Sequence, residues 1–136
     1  VGYRYCKEAY EGIALRAKLK SEGRAKHQEI RKVIDSLAQA RRKTQPREAS
    51  SGCVFRNPNE HSAGWLIDQS GLKGEKVGGA TVSDMHANFI LNRGDATATE
   101  VIKLILKVRE RVQKSHGLTL EPEVNVLGKS WEQYLS

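Results

Sequence analysis

The feature that most constrains this chain is a helical stripe toward its C-terminal end. Val101, Leu104, Ile105, Val108 and Val112 recur at three- and four-residue spacing, so they share one side of an α-helix. Thr97 and Glu100 stand where a capping box would open that helix, and Gly117 where a left-handed residue would close it. An amphipathic helix in water draws most of its stability from whatever covers its apolar side. The rest of the chain must therefore provide a surface, and the pattern before the stripe suggests a small sheet.

Residues 13–20 alternate, with Ile13, Leu15, Ala17 and Leu19 on one side and Ala14, Arg16, Lys18 and Lys20 on the other. A period of two predicts a half-buried strand. Ser21-Glu22-Gly23 breaks it, and from about Arg24 the period becomes helical through Ile30, Val33, Ile34, Leu37 and Ala38. That helix should end before Pro46, because the position preceding a proline disfavours helical geometry. Residues 48–52 read as a loop and Cys53-Val54-Phe55 as a short strand ended by Asn57-Pro58. Ser62 is placed to cap a brief helix through Gln69, with Ala63, Leu66 and Ile67 inward and Gly71 beyond its end. Two strands follow, over 77–82 and 88–91, then a turn at Arg93-Gly94-Asp95, the long helix, a last strand over about 119–127 and a polar tail. The fold class predicted is α+β: a small sheet covered by two long helices, both of them core-packing elements.

With 136 residues there is room for one domain with a real core. No apolar run is long enough to cross a bilayer, and the polar, basic start is no signal peptide; a soluble, cytoplasmic protein is expected. The chain opens on Val1 rather than Met, which reads as a cut or processed end of something longer. Cys6 and Cys53 can form at most one disulfide, and neither stands at zinc spacing from the other or from a histidine, so no metal site is predicted. The net charge of +7, concentrated between Arg16 and Arg47, favours anionic partners: nucleic acid, a membrane surface or a phosphorylated small molecule. The same charge also fits a solvated helix face, and no RNA-binding signature accompanies it.

Three stretches are harder to explain by packing. In Ser51-Gly52-Cys53-Val54-Phe55-Arg56-Asn57-Pro58, Gly52 permits close backbone approach, Cys53 sits at the mouth of a strand, and Arg56 and Asn57 offer donors suited to phosphate or carboxylate. The alternative there is a buried thiol beside a strand end. In the stretch from Leu120-Glu121-Pro122-Glu123 to Gly128, Pro122 marks an edge or bulge where the Glu123 carboxyl could be re-aimed and desolvated for proton transfer. Its alternative is a carboxylate on a solvated face. In Gly2-Tyr3-Arg4-Tyr5-Cys6, an arginine between two tyrosines can be held by stacking and present its fork to an anion. Gly78-Gly79 lacks both the phosphate-loop lysine and the dinucleotide fingerprint, so tight backbone packing is expected there, while His86 and Asn88 read as structural hydrogen-bonders.

Taken in order and spacing, these segments resemble the C-terminal part of the UDP-N-acetylenolpyruvoylglucosamine reductase family, of its shorter type. The resemblance runs from Gly2-Tyr3-Arg4 through Gln45-Pro46, the segment around Cys53, Ala63-Gly64-Trp65-Leu66-Ile67, Gly71-Leu72-Lys73-Gly74, Gly79-Ala80-Thr81-Val82-Ser83 and His86-Ala87-Asn88-Phe89 to Glu121-Pro122-Glu123-Val124. It implies that residues 1–12 are the tail of a flavin-binding domain that this chain lacks, 13–128 the substrate-binding domain and 129–136 a C-terminal tail. It further implies a reaction in which NADPH reduces FAD and hydride then passes to the enolpyruvyl group of UDP-N-acetylglucosamine enolpyruvate. Cys53 would take the place of the family's proton-donating serine, Glu123 and Arg4 would match its catalytic glutamate and arginine, and Arg56 and Asn57 its substrate-site positions. On this reading the fragment alone binds little flavin and does not turn over. A thiol, with a reference pKa of about 8.5, stays mostly protonated near neutral pH and so can donate; unlike a hydroxyl it can also be oxidised. Two alternatives remain: a non-catalytic homologue kept for partner binding, and a basic nucleic-acid-binding module.

Overall fold

The computed structural model describes residues 15–20 and 23–135. Its sheet is antiparallel with order β1-β4-β3-β2, built from Ala49–Cys53 (β1), Lys76–Val77 (β2), Ala80–Val82 (β3) and Phe89–Asn92 (β4). The helices are His27–Thr44 (α1), Ala63–Gln69 (α2), Ala98–His116 (α3) and the short Glu132–Leu135 (α4). The α+β class expected from the patterning is what the chain adopts. The chain divides into two units, Val1–Ser36 and Leu37–Ser136.

In the second unit, α3 is the keystone. Its stripe of Leu104, Ile105, Val108 and Val112 is buried against a core containing Val54, Phe55, Leu66, Ile67, Leu72, Val82, Ile90 and Leu120. Each such side chain contributes roughly 1.5–3 kcal/mol by leaving water. The capping box forms as the sequence predicts: the Glu100 N–H donates to Thr97 Oγ1 at 3.3 Å and the Thr97 N–H to Glu100 Oε2 at 2.9 Å. Gly117 closes the helix at φ +69. Ser62 caps α2 by accepting the Trp65 N–H, and Ala63, Leu66 and Ile67 face inward.

Several local expectations change. Residues 15–20 carry no regular structure, with Leu15 and Leu19 93% and 94% exposed; residues 13 and 14 lie outside the described ones. An alternating pattern becomes a strand only beside a neighbour that pairs with it, and none of the described strands does so. The helix α1 is where periodicity placed it, but none of its residues is buried, so it is not a core-packing element among the described residues. The 48–52 loop is instead mostly β1, whose weak-propensity Ala-Ser-Ser-Gly run is held by pairing to β4 with a bulge between Ser50 and Cys53. The 77–82 strand is a hairpin turned at Gly78-Gly79. The 119–127 strand reduces to one bridge, Phe55 to Pro122, because a proline cannot donate to a ladder. The polar tail folds back: Trp131 Nε1 donates to the Val124 carbonyl at 2.6 Å. Among the described residues, no helix is long and apolar enough to cross a membrane.

Candidate functional site

The site begins at the end of β1, where Gly52 adopts φ +84, a conformation in which other residues are strained. Beyond it Val54 and Phe55 dive into the core, 2% and 1% exposed. Their backbone groups need partners there. The Val54 N–H donates to the Asn88 carbonyl at 2.9 Å. The Asn88 side chain brackets Phe55, accepting its N–H at 2.9 Å and donating to its carbonyl at 2.8 Å. Asn88 is itself 2% exposed, and its own N–H donates to His86 Nδ1 at 3.3 Å. The structural role expected of both residues holds.

The other wall is the segment carrying Glu123. The Arg56 N–H donates to the Glu121 carbonyl at 2.9 Å, and the Glu123 N–H to the Val54 carbonyl at 2.7 Å. These two bonds flank the Phe55–Pro122 bridge and leave Pro122 at a position that requires no N–H. The second bond sets the Glu123 backbone beside Val54, the residue that follows Cys53. Two positions separated by 70 residues of chain are thus fixed within one backbone step of each other. Among the described residues Cys53 and Glu123 are both exposed, so the thiol is not the buried one of the alternative reading.

Beside this junction lies a cleft of about 390 Å³ lined by Arg56, Asn57 and Pro58 from one side and Thr119 to Pro122 from the other. Cys53 and Glu123 stand outside its lining. Asn57 also supports the fold, since its Oδ1 accepts the Ala63 N–H at 2.9 Å and so fixes the start of α2. Arg4 lies outside the described residues. Thr119 carries no signal in the sequence that singles it out, and only the fold brings it to the cleft beside Glu121. Among the described residues no cluster of three or more metal-ligating side chains occurs.

The Gly78-Gly79 turn shows why two glycines stand together. A side chain at Gly78 would run into the Glu100 carboxylate, and one at Gly79 into Asp95 and the backbone of Ala96. Glu100 is held below the usual carboxylate range by the Thr97 N–H first, with a further bond from the Gly79 N–H. The expected tight packing is therefore a junction between hairpin and helix.

A small antiparallel sheet backed by the capped helix α3, with a proline-bearing segment docked on a strand end beside a cleft, defines a small α+β domain. Residues 45–127, more than half of the chain, match the family model for the UDP-N-acetylenolpyruvoylglucosamine reductase C-terminal domain. The UDP-N-acetylenolpyruvoylglucosamine reductase of Acaryochloris marina is 50% identical over 103 residues, covering 75% of this chain and 33% of the relative. That of Nostoc punctiforme is 41% identical over 133 residues, covering 95% and 40%. The crystal structure of the reductase (MurB) from Thermus caldophilus superposes with a TM-score of 0.60 at 44% identity, covering 73% of this chain and 35% of that one. The chain belongs to the UDP-N-acetylenolpyruvoylglucosamine reductase family, and its residues 45–127 correspond to the family's C-terminal domain. It spans about a third to two fifths of the length of these curated relatives.

The family resemblance implies a flavin. The glycine-rich turn does not fit its diphosphate, because the space beside Gly78 and Gly79 is filled by the carboxylates of Glu100 and Asp95. Two fixed negative charges repel a third.

Proposed function

We propose that this chain is the substrate-binding and proton-donating part of an NADPH-dependent flavin oxidoreductase that converts UDP-N-acetylglucosamine enolpyruvate to UDP-N-acetylmuramate in the bacterial cytoplasm. The observation that supports the reading is the backbone docking of the Glu123 segment on the strand end that follows Cys53. A flavin bound outside this chain and reduced by NADPH would supply the hydride for one carbon of the enol ether. The Cys53 thiol delivers a proton to the neighbouring carbon, and the resulting thiolate is reprotonated from solvent. Arg4 stabilises the negative charge that develops on the carboxylate side of the substrate as hydride arrives, and Glu123 does so as a hydrogen-bond donor when it carries a proton. Arg56, at the cleft with Asn57, offers a planar fork of donors suited to the diphosphate or a carboxylate of the substrate. Solvent is excluded from Glu123 only once substrate and the remainder of the enzyme close over the junction.

The test separates the two half-reactions. In the full-length enzyme, Cys53→Ala retains flavin reduction by NADPH and loses turnover of the enolpyruvyl sugar nucleotide by about 10²-fold or more, the usual contribution of a positioned proton donor. Turnover that persists at the parental rate would remove Cys53 from the mechanism.

A further inference from the structure

The Phe55–Pro122 bridge is of the antiparallel kind in which the two opposed residues share no hydrogen bond. Its bonds run instead from the Glu123 N–H to the Val54 carbonyl and from the Arg56 N–H to the Glu121 carbonyl. The N–H and carbonyl of Phe55 therefore point away from the docked segment, in a residue so buried that an unpaired group is costly. The sheet backbone does not reach them. Pairing of β1 with β4 ends at Cys53 opposite Phe89, and the Val54 N–H takes the Asn88 carbonyl. What meets Phe55 is the Asn88 side chain, on both its N–H and its carbonyl. A carboxamide holds a carbonyl and an N–H donor in one plane, as a peptide unit does, so Asn88 substitutes for a stretch of strand that the sheet lacks. Of the four backbone polar groups of Val54 and Phe55, Asn88 takes three and the Glu123 N–H the fourth.

The seat of Asn88 is itself fixed. Its N–H is held by His86, and Gly64 of α2 leaves room for the pair: a Cβ there would come within 3.2 Å of His86 Cε1 and 3.7 Å of Asn88 Cβ. Cys53, by contrast, is weakly determined from its N-terminal side. A bulge between Ser50 and Cys53, with Gly52 at positive φ, interrupts the regular pairing just before it. Its placement depends on the residues that follow, and Asn88 orients those.

We infer that Asn88 is a positioning residue of the site. Its amide sets the strand end of Val54 and Phe55, and through that backbone the placement of Cys53 and Glu123 about one substrate. The inference rests on the roles proposed for those two residues and adds to them the group that holds them in register.

The test uses a full-length reductase carrying this C-terminal sequence, at a temperature at which circular dichroism shows each variant folded. Asn88→Asp is the informative change. A protonated carboxyl offers one acceptor and one donor as the amide does, whereas an ionised one sets an oxygen against the Phe55 carbonyl. Relative to the parent, its kcat is expected to fall by about tenfold or more at mildly alkaline pH, the cost of a misplaced reacting group, and to recover as acidification protonates the new carboxyl. Taking the ratio to the parent cancels the titration of Cys53, Glu123 and His86, which both proteins share. Asn88→Ala, with neither donor nor acceptor, stays low at every pH, and flavin reduction by NADPH is parental in both variants. A residue that merely supports the fold leaves kcat per folded molecule unchanged; that result, or a deficit in Asn88→Asp that ignores pH, overturns the inference. A second readout needs no turnover: in Asn88→Ala the Glu123 amide is expected to exchange faster by about tenfold or more, beyond any change in α3. Exchange at Glu123 that only follows α3 also overturns it. A parent without reductase activity, in which Asn88→Ala still frees the Glu123 amide, would sink the proposed function and leave the hold of Asn88 on the junction standing.

Discussion

Replacing Asn88 should cost the domain more than any other single polar substitution in it. The side chain carries no charge, yet it satisfies both the N–H and the carbonyl of Phe55, a residue 1% exposed. Asn88→Ala leaves both groups buried and unpaired, and each such orphan costs about 1–3 kcal/mol. Allowing for partial relaxation or an entering water, we expect a loss of about 3 kcal/mol, a large fraction of the 5–15 kcal/mol that usually holds a domain together. For a folded unit of about 100 residues that lowers the melting temperature by about 12–24 °C. Thermal melts and urea titrations followed by circular dichroism measure it, with a reduced midpoint and an unchanged urea slope. Asn88→Asp refines the test. It preserves shape and keeps an acceptor for the Phe55 N–H, but sets an oxygen against the Phe55 carbonyl, so it too should destabilise at neutral pH. If Asn88→Asp melts with the parent, or Asn88→Ala falls by less than about 3 °C, the side chain serves only as volume and the hydrogen-bond argument fails.

Other consequences follow from the same geometry. Gly78→Ala combines an unfavourable φ of +55 with a clash against the Glu100 carboxylate, so it should lower stability by about 1–3 kcal/mol and loosen the first turn of α3 in hydrogen exchange. The Lys107 ammonium, 2.8 Å from Glu75, lowers that carboxyl below its ordinary value of 4.5 mainly by hydrogen bonding. A depressed carboxyl stabilises the fold above its unfolded pKa and loses that contribution as pH falls through the folded one. Lys107→Met should therefore flatten the acid side of the stability profile below about pH 4.5, by a small amount because the pair is partly exposed. Asn57→Ala, which removes the Oδ1 acceptor of the Ala63 N–H at the part-buried start of α2, should cost about 1–2 kcal/mol, below the Asn88 loss because one backbone group is left unpaired rather than two; thermal melts of the two variants side by side check the ranking. Trp131→Phe deletes the bond to the Val124 carbonyl and should raise exchange at residues 123–125 with little change in melting temperature.

What the sequence determined by itself is local or periodic. The α3 stripe, its Thr97–Glu100 box and its Gly117 stop are written within one segment, as are the Ser62 cap and inward face of α2, so both helices were legible without a partner. The motif string around Cys53 and Glu123 was legible as a family resemblance for the same reason: it is an ordered set of short local patterns. What only the tertiary structure decided involves pairing between distant segments. Residues 15–20 alternate correctly and still form no strand, whereas the Ala-Ser-Ser-Gly run of β1 has the composition of a loop and is a strand because β4 lies beside it. The apolar stripe of α1 is as regular as that of α3, and periodicity cannot say whether a face is covered within the chain or outside it. The approach of the Cys53 and Glu123 positions, the cleft with Thr119 and Glu121, and the return of Trp131 onto Val124 all depend on backbone hydrogen bonds between segments far apart along the chain. A sequence pattern specifies which face of an element is apolar; only packing selects the surface that meets it.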